Sequence, residues 1–405
     1  MSVRPAGSDR RDHVPPTTPV VVAARRTPIG NAGGSLRTLT ADELAAPVLR
    51  ALLADVPTGE RPEVADVVLG NVFGPGGNTA RVAALGAGLG DTVPGLTVDR
   101  QCASGLAAVT LAAALVRAGE GEVYLAGGTE SASTAPHRAW RTDPPQPYTR
   151  APFAPVGHED PGMGAAADRV AAEAGISRAR QDAFALRSHR RAVAAQQAGR
   201  FAAELVPVAG VDRDQRPRAG FTPERLARFP PAFGPGGTAT AANSCAVSDG
   251  AAAVLVVSER VRDALGVPGL RLLAAATSAV DPGHLGLGAV PAMRRVLKAG
   301  APSATEFTEA FAGQALACLD AVGLDEDTVS PDGGAIALGH PWGASGAVLV
   351  VRVFSRLVRE GAGGIGLTAL SAGGGLGVAA LWQAVGPDGR ALARPEDPWP
   401  RREER

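Results

Sequence analysis

The sequence predicts an α/β fold with a duplicated core and an inserted, mostly helical segment. Three observations carry this expectation. Short apolar strand-like runs alternate with helical periodicity in both halves of the chain, as expected for strands buried on both faces. An ordered set of four elements (small-residue turn, apolar helix, strand, glycine turn) occurs twice. Between the two copies, from about Thr134 to Thr240, charge and proline rise and strand-like runs become rare. At 405 residues, two similar cores, or one core with an insertion, fit better than a single compact domain.

In chain order, Val20–Ala24 is a short strand ending in Arg25-Arg26-Thr27-Pro28, Leu44–Leu53 has helical spacing, and Val67–Leu69 is a buried strand. The first copy of the repeat is Ala103-Ser104-Gly105, an apolar helix to Ala118, a strand Val123–Ala126 and the turn Gly127-Gly128. In the inserted segment, Ser177–Phe201 is helical, with Asp182, Arg187, Arg190 and Arg200 around an apolar stripe. Alternation returns at Ala251–Val257. The second copy is Ala344-Ser345-Gly346, an apolar helix ending in Arg359-Glu360-Gly361, a strand Ile365–Leu370 and the turn Gly373-Gly374-Gly375. The strands are expected to be of the buried, parallel type. The resulting division is a disordered leader over 1–18, an N-terminal half over 19–265 containing the insertion at about 134–240, a C-terminal half over 266–386, and a tail over 387–405. The leader is rich in Arg, Pro, Ser and Thr and has no apolar signal core.

Acidic and basic residues balance at 40 each, which argues against a charge-driven nucleic-acid or membrane-surface role. Lys298 is the only lysine, a bias we read as coding composition rather than function. Cys102, Cys245 and Cys318 lie far apart, without disulfide-framework or zinc spacing, so a reduced, cytoplasmic setting is expected. The uncharged run Cys102–Val116 is short for a bilayer span. The histidines at 13, 137, 158, 189 and 284 show no metal-ligand spacing, and phosphate loops of the Walker or Rossmann type are absent.

Three glycine-lined corners carry the chemistry. Gln101–Gly105 reads QCASG, Gly333–Gly346 reads GGAIALGHPWGASG, and Ser371–Gly377 reads SAGGGLG. Glycine is entropically costly unless a special backbone angle or a close approach requires it. Cys102 precedes a helix whose free N–H groups and dipole favour a thiolate, although most free cysteines are simply small buried hydrophobes. His340, held between Gly339 and Pro341, is placed like the base that activates a thiol. The Ser371–Gly377 turn offers N–H groups for an oxyanion. A cysteine, a histidine and such a turn are the parts of a thioester-handling site.

From Pro19 to Val385 the chain resembles the thiolases, the family of acetyl-CoA acetyltransferases and 3-ketoacyl-CoA thiolases. The resemblance rests on RTPIG at Arg26–Gly30, QCASG, AGGTES at Ala126–Ser131, DGAA at Asp249–Ala252, EAFA at Glu309–Ala312, the Gly333–Gly346 stretch and the final glycine turn. It implies a five-layer α-β-α-β-α core with a loop domain over a coenzyme A pocket, assembled as a homodimer or homotetramer. It further implies that Cys102 takes the acyl group, that His340 activates it, and that the N–H groups of Cys102 and Gly373 form an oxyanion hole. Arg218, Met163, Phe233, Ala310 and Phe311 fall on coenzyme A contact positions. Cys245 falls where many members carry a serine near the pantetheine. Acyl-CoA and acetyl-CoA, or another acyl acceptor, are the implied substrates, with no metal or resident cofactor.

Two positions break the pattern. The second catalytic cysteine of the family is Ser371 here, and the asparagine before Glu-Ala-Phe is Thr308. About four residues are also missing ahead of Thr308, and Pro230 replaces a common basic residue. The lost cysteine shuttles the α-proton of acetyl-CoA, and a serine hydroxyl is far less acidic than a thiol of pKa about 8.5. The asparagine holds an oxyanion-hole water, a donor whose loss typically costs about 10²–10³ in rate. Acylation of Cys102 is therefore expected to survive, while carbon–carbon chemistry is weakened, replaced, or uses another base. Glu309 is a conceivable base, though structural in the family. The leading reading is a 3-oxoacyl-CoA-forming or -cleaving acyltransferase. An acyltransferase serving a non-carbon acceptor comes second and a non-catalytic acyl-CoA-binding subunit third, the last disfavoured by the intact Cys102 and His340. Trp342 beside His340 points to a reshaped acyl pocket.

Overall fold

A computed structural model describes residues 14–57 and 62–393. The N-terminal half runs β1 (Pro19–Arg26), β2 (Gly30–Asn31), α1 (Ala41–Ala54), β3 (Asp66–Gly70), α2 (Thr79–Gly86), β4 (Gly95–Val98), α3 (Ser104–Ala118) and β5 (Val123–Glu130). The intervening segment carries a hairpin, β6 (Arg138–Trp140) and β7 (Gln146–Tyr148), then α4 (Met163–Glu173), α5 (Arg178–Gln197) and α6 (Pro223–Ala227). The chain returns to the core with β8 (Ser248–Ser258) and α7 (Glu259–Leu265). The C-terminal half runs β9 (Gly269–Ala279), α8 (Ala289–Val296), β10 (Ala304–Phe307), α9 (Ala312–Val322), α10 (Ala335–Leu338), α11 (Trp342–Phe354), β11 (Ile365–Ala372) and β12 (Leu376–Val385).

The core strands follow one hydrogen-bonded path, β10-β11-β12-β9-β1-β8-β5-β3-β4, in which the halves join where Val20 and Val21 of β1 meet Arg271 and Leu270 of β9. Five layers result. α1 and α2 cover the N-terminal strands, with Leu44, Leu49 and Leu52 against Val67, Leu69 and Leu255. α3 and α11 lie between the two sets of strands, with Leu106, Val109, Val350 and Val353 in one central cluster. α8 and α9 cover the far side through Met293, Leu316 and Leu319 against Leu367 and Leu381. Fully burying each such side chain contributes about 1.5–3 kcal/mol. The window Gln101–Ala118 is long and apolar enough for a membrane span, yet it lies in this central layer as α3 and the turn before it.

The expectation of parallel strands needs correction. β3 pairs in parallel with β4 and β5, and β10 with β11, but β1–β8, β5–β8, β9–β12 and β11–β12 are antiparallel. The unbroken apolar runs arise because helices cover both faces, which constrains composition regardless of strand direction.

The expected leader is corrected in part. Residues 1–13 lie outside the described residues, but Thr18 closes a turn onto Pro15 O (2.9 Å) and accepts from Glu259 N–H (2.8 Å), tying 15–18 to the start of α7. Residues 394–405 lie outside the described residues, while the Leu392 N–H donates to Ala384 O (2.9 Å) and the Gly364 N–H to Leu392 O (2.8 Å).

Two devices hold the inserted segment on the core. Fully buried Arg26 pairs with Glu204 (2.7 Å) and Asp214 (2.7 Å), and buried Arg352 of α11 pairs with Glu204 and Asp332. Near the surface, α5, N-capped by Ser177, sends Arg180 to Asp320 (2.7 Å) and Arg187 to Glu326 (3.1 Å).

Candidate active site

The turn between β4 and α3 is strained where the nucleophile candidate sits. Gln101 adopts φ of 51°, left-handed for a non-glycine residue. Ser104 compensates: its Oγ accepts from Arg100 N–H (2.8 Å) and donates to Gln101 O (2.6 Å). Cys102 follows, partly buried, just ahead of α3. The expected thiolate preference is overturned. Burial pushes the Cys102 thiol up to about 12, assisted by the negative charges of Glu130 and Asp99, although the N–H groups of Cys102 and Gly373 pull the other way. Local placement at a helix start is outweighed by the apolar pocket around it, so this thiol needs a base.

His340 lies in the link between α10 and α11. Gly339 has φ of 115°, and a Cβ there would meet Ser248 Oγ at 2.6 Å. The His340 backbone N–H is shared between Ala246 O and Ser248 Oγ, each at 3.1 Å. Its Nδ1 lies 2.6 Å from Ser345 Oγ, and that hydroxyl donates to Pro341 O at 3.0 Å. With the Ser345 proton so engaged, we assign the ring proton to Nδ1, which leaves Nε2 as an acceptor. Nε2 is buried without a partner, and burial lowers the imidazole to about 4. The ring is therefore neutral near pH 7 and able to receive a proton.

Cys102 and His340 line one cavity of about 250 Å³. The crossing of α3 and α11 brings them together. A Cβ on Gly105 would lie 2.7 Å from Gly343 O and 2.9 Å from Ala347 N, and one on Gly346 would strike the Leu106 backbone, so the first turns of the two helices touch through glycine. Glu130 secures the crossing, its carboxylate accepting from Gly343 N–H (2.9 Å) and Phe73 N–H (3.0 Å).

Among the remaining sites named from sequence, Met163, Phe233, Cys245, Ala310, Phe311 and Ser371 line the same cavity. Phe233 and Phe311 form an edge-to-face pair with centroids 5.4 Å apart. Trp342 also lines it, packed on Phe73 at 4.7 Å. Ser371 Oγ accepts from Ala289 N–H (3.0 Å) and lies 3.8 Å from the buried Cys318 Sγ. Gly373 is not a lining residue, but its N–H faces the Cys102 thiol.

Two residues fall elsewhere. Arg218 is exposed, its Nη1 donating to Gln215 O (2.8 Å). Thr308 is buried and lines a separate cavity of about 20 Å³ with Glu306, Ser345 and Arg352, and its Oγ1 has no hydrogen-bond partner. Glu309 is clamped by Ser188 Oγ (2.6 Å) and Ile336 N–H (3.3 Å) outside the reaction cavity, which removes it as a base candidate. Phe153 escaped sequence reading. A Cβ on Gly373 would meet its ring at 2.6 Å, so this phenyl group backs the final glycine turn, and no motif around it marks that role.

The Cys102 turn, the buried histidine and the paired central helices define a thiolase-type fold. Family models for the thiolase N-terminal domain and the thiolase C-terminal domain match residues 19–260 and 268–384, so the chain belongs to the thiolase family. A Staphylococcus haemolyticus protein provisionally named acetyl-CoA C-acetyltransferase VraB is 42% identical over 380 residues, covering 90% of this chain and 98% of its own. A Bacillus subtilis protein with the same provisional activity, YhfS, is 40% identical over 378 residues, covering 90% and 99%. A crystal structure of the Bacillus anthracis acetyl-CoA acetyltransferase superposes with a TM-score of 0.84 at 35% identity, covering 91% of this chain and 99% of that one.

Proposed function

We propose that this protein is an acyl-CoA acyltransferase of thiolase type that forms or cleaves 3-oxoacyl-CoA through an acyl group carried on Cys102. One observation carries the reading. A thiol flanked by two backbone N–H donors shares a cavity with a buried imidazole whose Nε2 is unpartnered. Neutral His340 takes the thiol proton as Cys102 attacks the thioester, and returns it to the departing coenzyme A sulfur. The N–H groups of Cys102 and Gly373 stabilise the oxyanion of the acyl-enzyme. Met163, Phe233 and Phe311 hold the pantetheine arm, and the exposed guanidinium of Arg218 is assigned to the nucleotide phosphates.

A second reading, transfer to a non-carbon acceptor, is favoured by Ser371, which offers a hydroxyl where an acid–base thiol is expected. Incubation with acetyl-CoA and longer acyl-CoAs, followed by intact mass, tests the shared first step. An acyl adduct absent from Cys102→Ala supports both readings, and no adduct across the panel overturns both. Solvent deuterium appearing in the acetyl-CoA methyl group separates them, because carbon–carbon chemistry requires it and pure acyl transfer does not.

A further inference from the structure

The reaction cavity holds a second thiol that the acylation step does not use. Cys245 lines it together with Cys102, His340 and Ser371. Its position is built from several sides. The residue after it, Ala246, accepts the His340 backbone N–H at 3.1 Å, and Val247 bridges to His340 itself. The Cys245 N–H donates to Ala310 O at 2.9 Å, and Ser244 bridges to Phe311. Arg216 fastens the segment from behind, donating to Ser244 O (3.0 Å) and Ile336 O (2.8 Å).

Ser371 lacks an acidic proton to give, and its oxygen is already engaged by Ala289 N–H. Cys318, which lies behind it, is fully buried, donates to Gly286 O (3.1 Å) and is not a lining residue. Glu309 is excluded by its clamp. We propose that Cys245 is the proton carrier of the carbon–carbon step, in place of the residue at 371. The inference rests on the carbon–carbon reading above.

In the cleavage direction every proton is accounted for. His340 takes the Cys102 proton, and the thiolate adds to the 3-oxo carbon. The adduct collapses by breaking the C2–C3 bond, and the electron pair leaves on C2 as the enolate of acetyl-CoA. The Cys245 thiol protonates C2, acetyl-CoA departs, and Cys245 is left as a thiolate. The proton on His340 then passes to the Cys245 thiolate, neutral His340 takes the proton of an incoming coenzyme A thiol, and that thiolate attacks the acyl group. Cys102 leaves as a thiolate and recovers its proton from His340. Nothing is oxidised or reduced. Burial pushes the resting Cys245 thiol up to about 12, helped by charge on Cys102 and opposed by Arg216, which keeps it in the donor form that cleavage begins with.

The test uses the full chain as native protein, Cys245→Ser and Cys245→Ala. Two rates are followed: Cys102 acylation from acetyl-CoA by intact mass, and wash-in of solvent deuterium into the acetyl-CoA methyl group. General acid–base catalysis contributes about 10²–10⁴-fold. Both variants are therefore expected to lose wash-in by at least about 100-fold while still acylating Cys102, which also shows that they fold. Native-like wash-in in either variant overturns the proposal, as does an equal loss of acylation and wash-in in both. A native protein that acylates but never exchanges deuterium overturns this proposal together with the carbon–carbon reading. A native protein that never acylates overturns the acyltransferase reading itself.

Discussion

His340 Nδ1 and Ser345 Oγ lie 2.6 Å apart across the first turn of α11, and the serine hydroxyl is oriented by Pro341 O at 3.0 Å. This contact decides which ring nitrogen is left free to take a proton. Ser345→Ala is expected to slow Cys102 acylation by roughly tenfold, the worth of about one hydrogen bond to the base. Timed intact-mass measurements check this, with a thermal melt to show that the fold persists.

Acylation should also have an unusually acidic lower limb. In the proposed mechanism Cys102 needs neutral His340, and burial lowers that imidazole to about 4. The neutral fraction falls as pH drops through that value, so the acylation rate is expected to hold from pH 7 to 5 and to halve near pH 4. A midpoint near the ordinary histidine value of about 6.5 in the rate–pH profile would contradict the assignment.

The buried ion-pair network makes a separate prediction about stability. Removing one member of a buried pair typically costs about 3–5 kcal/mol, so Arg26→Ala should lower the unfolding free energy by about that much in urea titrations. Burial alone would raise the Glu204 carboxyl, but Arg352 and Arg26 together hold it below its ordinary 4.5. A depressed folded value means the contribution is full above 4.5 and is lost as pH falls toward the folded value. The difference between native and Arg26→Ala protein should therefore shrink on acidification.

Trp342 walls the cavity and is braced by Phe73 at 4.7 Å. Trp342→Ala is expected to shift the acyl panel toward longer chains, with the ratio of long-chain to acetyl adduct on Cys102 rising about tenfold, a size consistent with a changed apolar wall. An unchanged ratio would place the acyl group elsewhere in the cavity.

Much of this architecture was legible because its signals are local. The two small-residue turns that open α3 and α11, and the apolar runs around them, reveal the duplicated core directly. The corner motifs name Cys102 and His340 because unusual backbone at a reactive side chain requires glycine nearby. Other features depend on contacts distant in sequence. The thiol at 102 reads as activated from its helix start, and only the assembled pocket reverses that. Thr308 and Ser371 both sit in recognisable motifs, yet which cavity each faces is set by packing. Cys245 is 143 positions from Cys102 (245 − 102), and only the fold brings both thiols to one cavity.

The glycine contact between α3 and α11 has a consequence for how such a site can change. Gly105 follows Cys102 by three residues, and Gly343 follows His340 by three. The spacing of the reactive pair is thus gauged by main chain against main chain, with no pocket side chain acting as a spacer. Residues lining the cavity can then be exchanged one at a time without moving thiol relative to imidazole. In the proposed mechanism, a serine at 371 or a tryptophan at 342 alters what the pair does next and with which acyl group, while the first covalent step keeps its geometry. Drift in the pocket is cheap here, and drift at the crossing is not.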